Sequence, residues 1–88
     1  MTRMVITHAV ENTDRWLEGK EERATALGKA ASNVTDFVAD DGSARVAVTL
    51  DVQDVDALKA MVDSPPADLV SLMQKHGVVP PFTVYIES

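Results

Sequence analysis

Residues 33–52 run Asn33-Val34-Thr35-Asp36-Phe37-Val38-Ala39-Asp40-Asp41-Gly42-Ser43-Ala44-Arg45-Val46-Ala47-Val48-Thr49-Leu50-Asp51-Val52. From residue 44 the side chains alternate: Ala44, Val46, Val48, Leu50 and Val52 share one face, and Arg45, Ala47, Thr49 and Asp51 share the other. Successive side chains of a β-strand point to opposite faces, so residues 44–52 predict a strand with one buried side. Residues 33–39 are β-rich and predict a second strand, although both of its faces mix polar and apolar groups. Between them Asp40-Asp41-Gly42-Ser43 supplies turn residues, with Gly42 free to take positive φ. Strand, Asp-Gly turn and strand together predict a hairpin.

Working outward, residues 14–31 upstream of the hairpin are mostly good helix formers, and Leu17, Ala24, Leu27 and Ala31 recur at helical spacing. Asn12-Thr13-Asp14 offers three N-cap residues in a row. Gly19 and Gly28 weaken this helix, and Gly28 is its candidate end. Before it, residues 3–10 contain no breaker and predict the first strand. Downstream of the hairpin, Asp54 caps a helix over residues 55–62. Ser64-Pro65-Pro66 interrupts it, because proline lacks an N–H and turns the preceding residue away from helical ψ. The helix restarts at Pro66 or Ala67 and stops at Gly77. Val78-Val79-Pro80-Pro81 then predicts an extended connection to a last strand over residues 82–87.

The order β-α-β-β-α-β is that of the α+β, ferredoxin-like arrangement: a four-stranded antiparallel sheet with both helices on one face, in one domain spanning residues 1–88. The helix-facing set is Met4, Ile6, His8 and Val10, then Val46, Val48 and Leu50, then Phe82, Val84 and Ile86. The other face carries Val5, Thr7, Ala9, Ala47, Thr49, Thr83 and Tyr85, too apolar for plain solvent surface and too polar for a core. Thirteen valines and eleven alanines dominate the apolar share, whereas only Trp16, Phe37, Phe82 and Tyr85 are aromatic. A small chain poor in large side chains usually needs disulfides, a metal or a partner. Cysteine is absent and the two histidines are far apart in sequence, so a partner subunit is left.

Eight basic and fourteen acidic residues give a net charge of −6. The basic residues are scattered among acids, which argues against nucleic acid and anionic membrane surfaces as partners. No run approaches the roughly 18 apolar residues that a membrane span requires. A cytoplasmic protein is expected, without metal ion or cofactor.

Four segments resemble one family. His8-Ala9-Val10-Glu11-Asn12-Thr13-Asp14-Arg15-Trp16 is similar to the strand-to-helix junction of small dimeric α/β-barrel proteins, relatives of the antibiotic-biosynthesis monooxygenase-like and "cyclase"-labelled bacterial proteins. The Asp40-Asp41 turn, Ser64-Pro65, and Gly77-Val78-Val79-Pro80-Pro81 resemble the same family, so the likeness covers nearly the whole chain. Thr13 departs from it, standing where an aromatic residue is common, and the polar catalytic set of the quinone-forming members has no residue-by-residue match. The resemblance implies a homodimer, its two sheets packed face to face into a barrel. It also implies a pocket in each subunit between the sheet and its own helices.

His8 is the foremost candidate for chemistry, as an acid or base placed among apolar neighbours at the end of a strand. Trp16 offers a platform for a planar ligand or a large core residue. His76, in the last helical turn, sits where the helix dipole favours a cationic imidazole. Ile6 and Phe82 share the face of His8 and complete the expected lining. No phosphate loop, nucleophile elbow or paired-carboxylate motif is present. Three readings follow: a dimeric barrel binding a small apolar or aromatic molecule; a cofactor-independent monooxygenase or cyclase acting on an aromatic, polyketide-like substrate through His8; or a protein–protein module without catalysis.

Overall fold

A computed structural model describes residues 1–88 as β1 (Thr2–Val10), α1 (Thr13–Glu18), α2 (Lys20–Leu27), β2 (Ala31–Val38), β3 (Arg45–Val52), α3 (Val55–Asp63), α4 (Ala67–Lys75) and β4 (Val78–Ile86). The strands form one antiparallel sheet in the order β2-β3-β1-β4. The hairpin β2–β3 lies on one side and β4 on the other, with β1 pairing both β3 and β4. This is the ferredoxin-like sheet that the order of elements predicts.

The alternation along β1 and β3 becomes a buried inner face. Met4, Leu50, Val52 and Leu58 are completely buried, and Ile6, Val10, Val46 and Val48 join them. His8 lies in the same inward row. Leu58 reaches the core from α3, whose start is capped by Asp54 accepting from the Ala57 N–H at 3.1 Å. Asn12 caps α1 in the same way, accepting from the Arg15 N–H at 3.0 Å. Each cap satisfies an N–H that the first turn of a helix leaves without a partner.

The structure departs from the sequence reading in the first helix and the last strand. The helix expected over 14–31 is two helices broken at Gly19, the second ending at Leu27 with Gly28 as its C-cap, the end the sequence offers. A side chain at Gly19 would fall inside the His76 ring, so the break admits close contact with the end of α4. The last strand begins at Val78, not Phe82, because Val78 and Val79 pair with Val10 and Ala9. The register then shifts, and pairing resumes at Thr7 with Thr83. Pro80 and Pro81 fill this bulge, where their missing N–H groups cost the ladder nothing. Ile86 lies on the helix-facing side as expected, opposite Met4, but on this edge strand it stays exposed.

α4 buries no residue completely. It is held at its C-terminal end instead. Arg15 donates from Nε to the Lys75 carbonyl at 2.9 Å and from Nη2 to the Gln74 carbonyl at 3.1 Å, satisfying acceptors that a helix end leaves free. Gly77 follows with φ 72°, and a Cβ there would lie 2.8 Å from Arg15 Nη2. A Gly77→Ala variant should therefore lose about 1–2 kcal/mol from the left-handed conformation alone. Displacing Arg15 adds to that loss. In thermal unfolding each kcal/mol lowers the Tm of a domain this small by about 4–8 °C. An unchanged Tm would contradict the clamp.

Candidate functional site

The helices stand off the sheet far enough to leave a cavity of about 80 Å³. Ile6 and His8 of β1, Val48 of β3 and Phe82 of β4 form its floor, and Leu27, Met61, Val62, Leu69, Leu72 and Met73 of the helices form its roof. Only His8, Arg23 and His76 bring polar atoms to it. The opening over the sheet follows from the bulge. His8 has no partner on β4, and Phe82 enters beside it with ring centroids 5.3 Å apart and edge-on.

His8 is 4% exposed. Its Nδ1–H donates to the Ala9 carbonyl at 2.8 Å. A carbonyl can only accept, so the neutral ring carries its proton on Nδ1 and its lone pair on Nε2. Burial holds its pKa below the ordinary 6.5. The Arg23 and Arg45 charges push it the same way, against the Ala9 bond and Asp36. The ring is therefore neutral at pH 7.

Arg23 is the residue that sequence reasoning missed. Among the acids Glu18, Glu21 and Glu22 it reads as a surface charge, yet it is 7% exposed. Nη1 donates to the Trp16 carbonyl at 2.6 Å and to His76 Nδ1 at 3.1 Å, and Nη2 donates to Asp36 Oδ2 at 2.9 Å. The guanidinium also lies over the Trp16 ring, 4.0 Å from its centroid, in a cation–π contact. The signal available in the sequence was spacing: Trp16 and Arg23 are seven residues, two helical turns, apart.

His76 is buried, and its surroundings reverse the expectation of a cationic ring. Arg23 only donates, so His76 Nδ1 accepts and Nε2 carries the proton. Burial lowers the pKa first and the Arg23 charge lowers it further, while Glu22, whose Oε1 lies 3.6 Å from Nε2, opposes both. The helix dipole is worth about 0.3–1 kcal/mol at an exposed end and does not outweigh these. Glu22 itself is held below the ordinary carboxylate value by the Lys75 ammonium, which donates to it at 3.0 Å.

Of the residues expected to meet a ligand, His8, His76, Ile6 and Phe82 line the cavity. Trp16 does not reach its wall. It is completely buried behind His8, edge-on to that ring at 6.0 Å. The placement brings His8, Trp16, Arg23 and His76 into one contiguous cluster.

No family model and no curated protein matches the chain. Solved structures do. The "putative antibiotic biosynthesis monooxygenase" of Bordetella bronchiseptica is similar at a TM-score of 0.71 and 17% identity, over 99% of this chain and 94% of that one. A second antibiotic biosynthesis monooxygenase gives a TM-score of 0.67 at 13% identity, over 100% and 97%. A dimeric ferredoxin-like protein from an uncultured marine organism gives 0.60 at 16% identity, over 97% and 91%. The structural neighbours are thus ferredoxin-like proteins of the antibiotic biosynthesis monooxygenase type, which the sequence motifs also resemble. At these identities the likeness establishes the fold. No helix is long and apolar enough to cross a membrane.

The two buried imidazoles set a pH dependence. In the unfolded chain both bind protons below 6.5, whereas the folded protein keeps them neutral to lower pH. Their stabilising contribution is complete above 6.5 and is lost as pH falls from there through the lowered folded values. Thermal melts should show a level Tm from about pH 8 to 7 and a decline below about 6.5. The decline should be smaller in His76→Gln, whose amide oxygen still accepts from Arg23. A Tm level down to about pH 5 would refute the neutral burial.

Proposed function

We propose that the protein binds a small apolar or aromatic molecule in the cavity between its sheet and helices, and that it does so as a homodimer joined through the outer face of the sheet. The observation that carries the binding reading is the cavity itself: ten of its thirteen lining residues are apolar, and a neutral histidine stands in its wall. Ligand pockets have this composition, apolar with a few placed polar groups. An apolar cavity of about 150 Å³ takes benzene, so a single ring needs the roof to yield here. Met61 and Met73 have the flexible side chains for that, and α4 has no fully buried residue to hold it down.

The dimer reading is supported by the outer face. Register places Phe37, Ala47, Thr7 and Thr83 in one row across the sheet and Thr35, Thr49, Val5 and Tyr85 in the next. Phe37 is 51% exposed and Tyr85 58%. No charged residue lies in these rows; Arg3 and Asp51 pair beyond one end, and Arg45 stands at the other. Four strands about 4.8 Å apart and about 30 Å long cover roughly 600 Å² in plan. That approaches the roughly 800 Å² per partner of a stable interface. One structural neighbour is described as dimeric.

A second reading draws on the His8 lone pair: a cofactor-independent monooxygenase or cyclase in which Nε2 takes a proton from an aromatic substrate. A neutral imidazole held in one tautomer is the form a general base needs. His8→Gln should then abolish turnover of any substrate found while leaving cavity binding in place.

Methionine methyl NMR tests the binding reading directly. On titration with toluene, Met61 and Met73 should shift, and exposed Met1 should serve as the unmoved control. Absence of any shift at Met61 and Met73 up to toluene saturation would exclude the cavity as a binding site. For the dimer, sedimentation equilibrium should give twice the chain mass of 9.5 kDa at micromolar concentration. Phe37→Arg with Tyr85→Arg should give the monomer, because a two-fold interface sets each new charge near its copy. A wild-type monomer would overturn this assembly.

A further inference from the structure

We infer that the molecule this cavity selects is a neutral hydrogen-bond donor, a hydroxyl carried on a compact apolar or aromatic body, and that His8 Nε2 is the acceptor that chooses it over anions, cations and plain hydrocarbons. The inference rests on the cavity-binding reading above.

Arg23 is committed. Its Nη atoms serve Trp16, His76 and Asp36, and Asp36, whose side chain is 2% exposed, neutralises its charge. The remaining unpartnered atoms of this cluster, Arg23 Nε, Asp36 Oδ1, His76 Nε2 and Trp16 Nε1, are sealed from solvent and so from anything in the cavity. His76 Nδ1 is occupied by Arg23. His8 differs from all of these. Its Nδ1 is used by Ala9, while Nε2 has no protein partner and is not among the sealed atoms. The one side-chain polar atom that a ligand can reach and that has nothing to bond is therefore a lone pair.

A lone pair in an apolar enclosure has a definite preference. A ligand hydroxyl satisfies it, and the ligand loses little on leaving water. A methyl group in the same place leaves it bare. A carboxylate faces the lone pair and must shed its hydration in a site whose only guanidinium is already paired with Asp36, which is costly. An ammonium group has the donor but carries a charge into the same enclosure beside Arg23, with no anion free to pair it.

The test compares four single-ring probes of nearly one shape: phenol, toluene, benzoate and benzylammonium. Methionine methyl shifts of Met61 and Met73 report occupancy at pH 7. Phenol should bind roughly two- to tenfold more tightly than toluene, the range of one net hydrogen bond. Benzoate and benzylammonium should bind at least tenfold more weakly than toluene. In His8→Leu, phenol should fall to the level of toluene while toluene binding persists. The wild-type series stands by itself if that variant fails to fold. Phenol and toluene binding equally would overturn the donor preference and leave the cavity reading intact. Benzoate or benzylammonium matching phenol would overturn the selection of neutral ligands. No probe binding would remove both this inference and the reading beneath it.

Discussion

The guanidinium of Arg23 brings three distant parts of the chain to one point. It bonds the Trp16 carbonyl of α1, Asp36 of β2 and His76 at the end of α4, and it lies over the Trp16 ring. Burying such an ion pair is not by itself stabilising, because the desolvation cost offsets the attraction. Removing one partner is another matter, costing about 3–5 kcal/mol when the other charge is left buried. The cluster therefore acts as a requirement: the elements it joins must arrive together, or a charge is stranded. Trp16, fixed by Arg23, in turn stands edge-on against His8.

This arrangement gives the two histidines different roles from the same cause. Burial lowers both pKa values, and both rings are neutral. His76 spends its lone pair on Arg23, and a glycine is required at position 19 to receive its ring. His8 spends its proton on the backbone and keeps its lone pair. One ring is a structural joint. The other is an uncommitted acceptor beside a bulge, and bulges are where sheets commonly re-aim side chains at functional sites.

Legibility along the chain followed the range of the interactions involved. The alternation of β3 was plain because one apolar face dictates every second residue. The caps at Asn12 and Asp54 were plain because cap and N–H are three residues apart. β2 was not, and the reason is local: Asn33 takes φ 52° and the register shifts between Ser32 and Thr35, so the pattern changes phase partway through. That shift is what turns Asp36 inward to meet Arg23. The site was half legible. His8 stood out by its place in an apolar row, whereas Arg23 looked like one more exposed helix charge. Its partners Asp36 and His76 are 13 and 53 residues away, and no pattern in its own helix announces them.

By itself, then, the amino-acid order determined the type and succession of the elements, the buried face of the sheet, the proline break between α3 and α4, and the presence of a histidine in the core row. Those depend on residue chemistry over a few neighbouring positions. Only the tertiary structure decided that the first helix breaks at Gly19, that Arg23 is buried, that His76 is neutral, and that His8 faces a cavity with its lone pair free. Each of these depends on which groups from distant segments share one small volume, where a charge must find its partner and a ring must find its space.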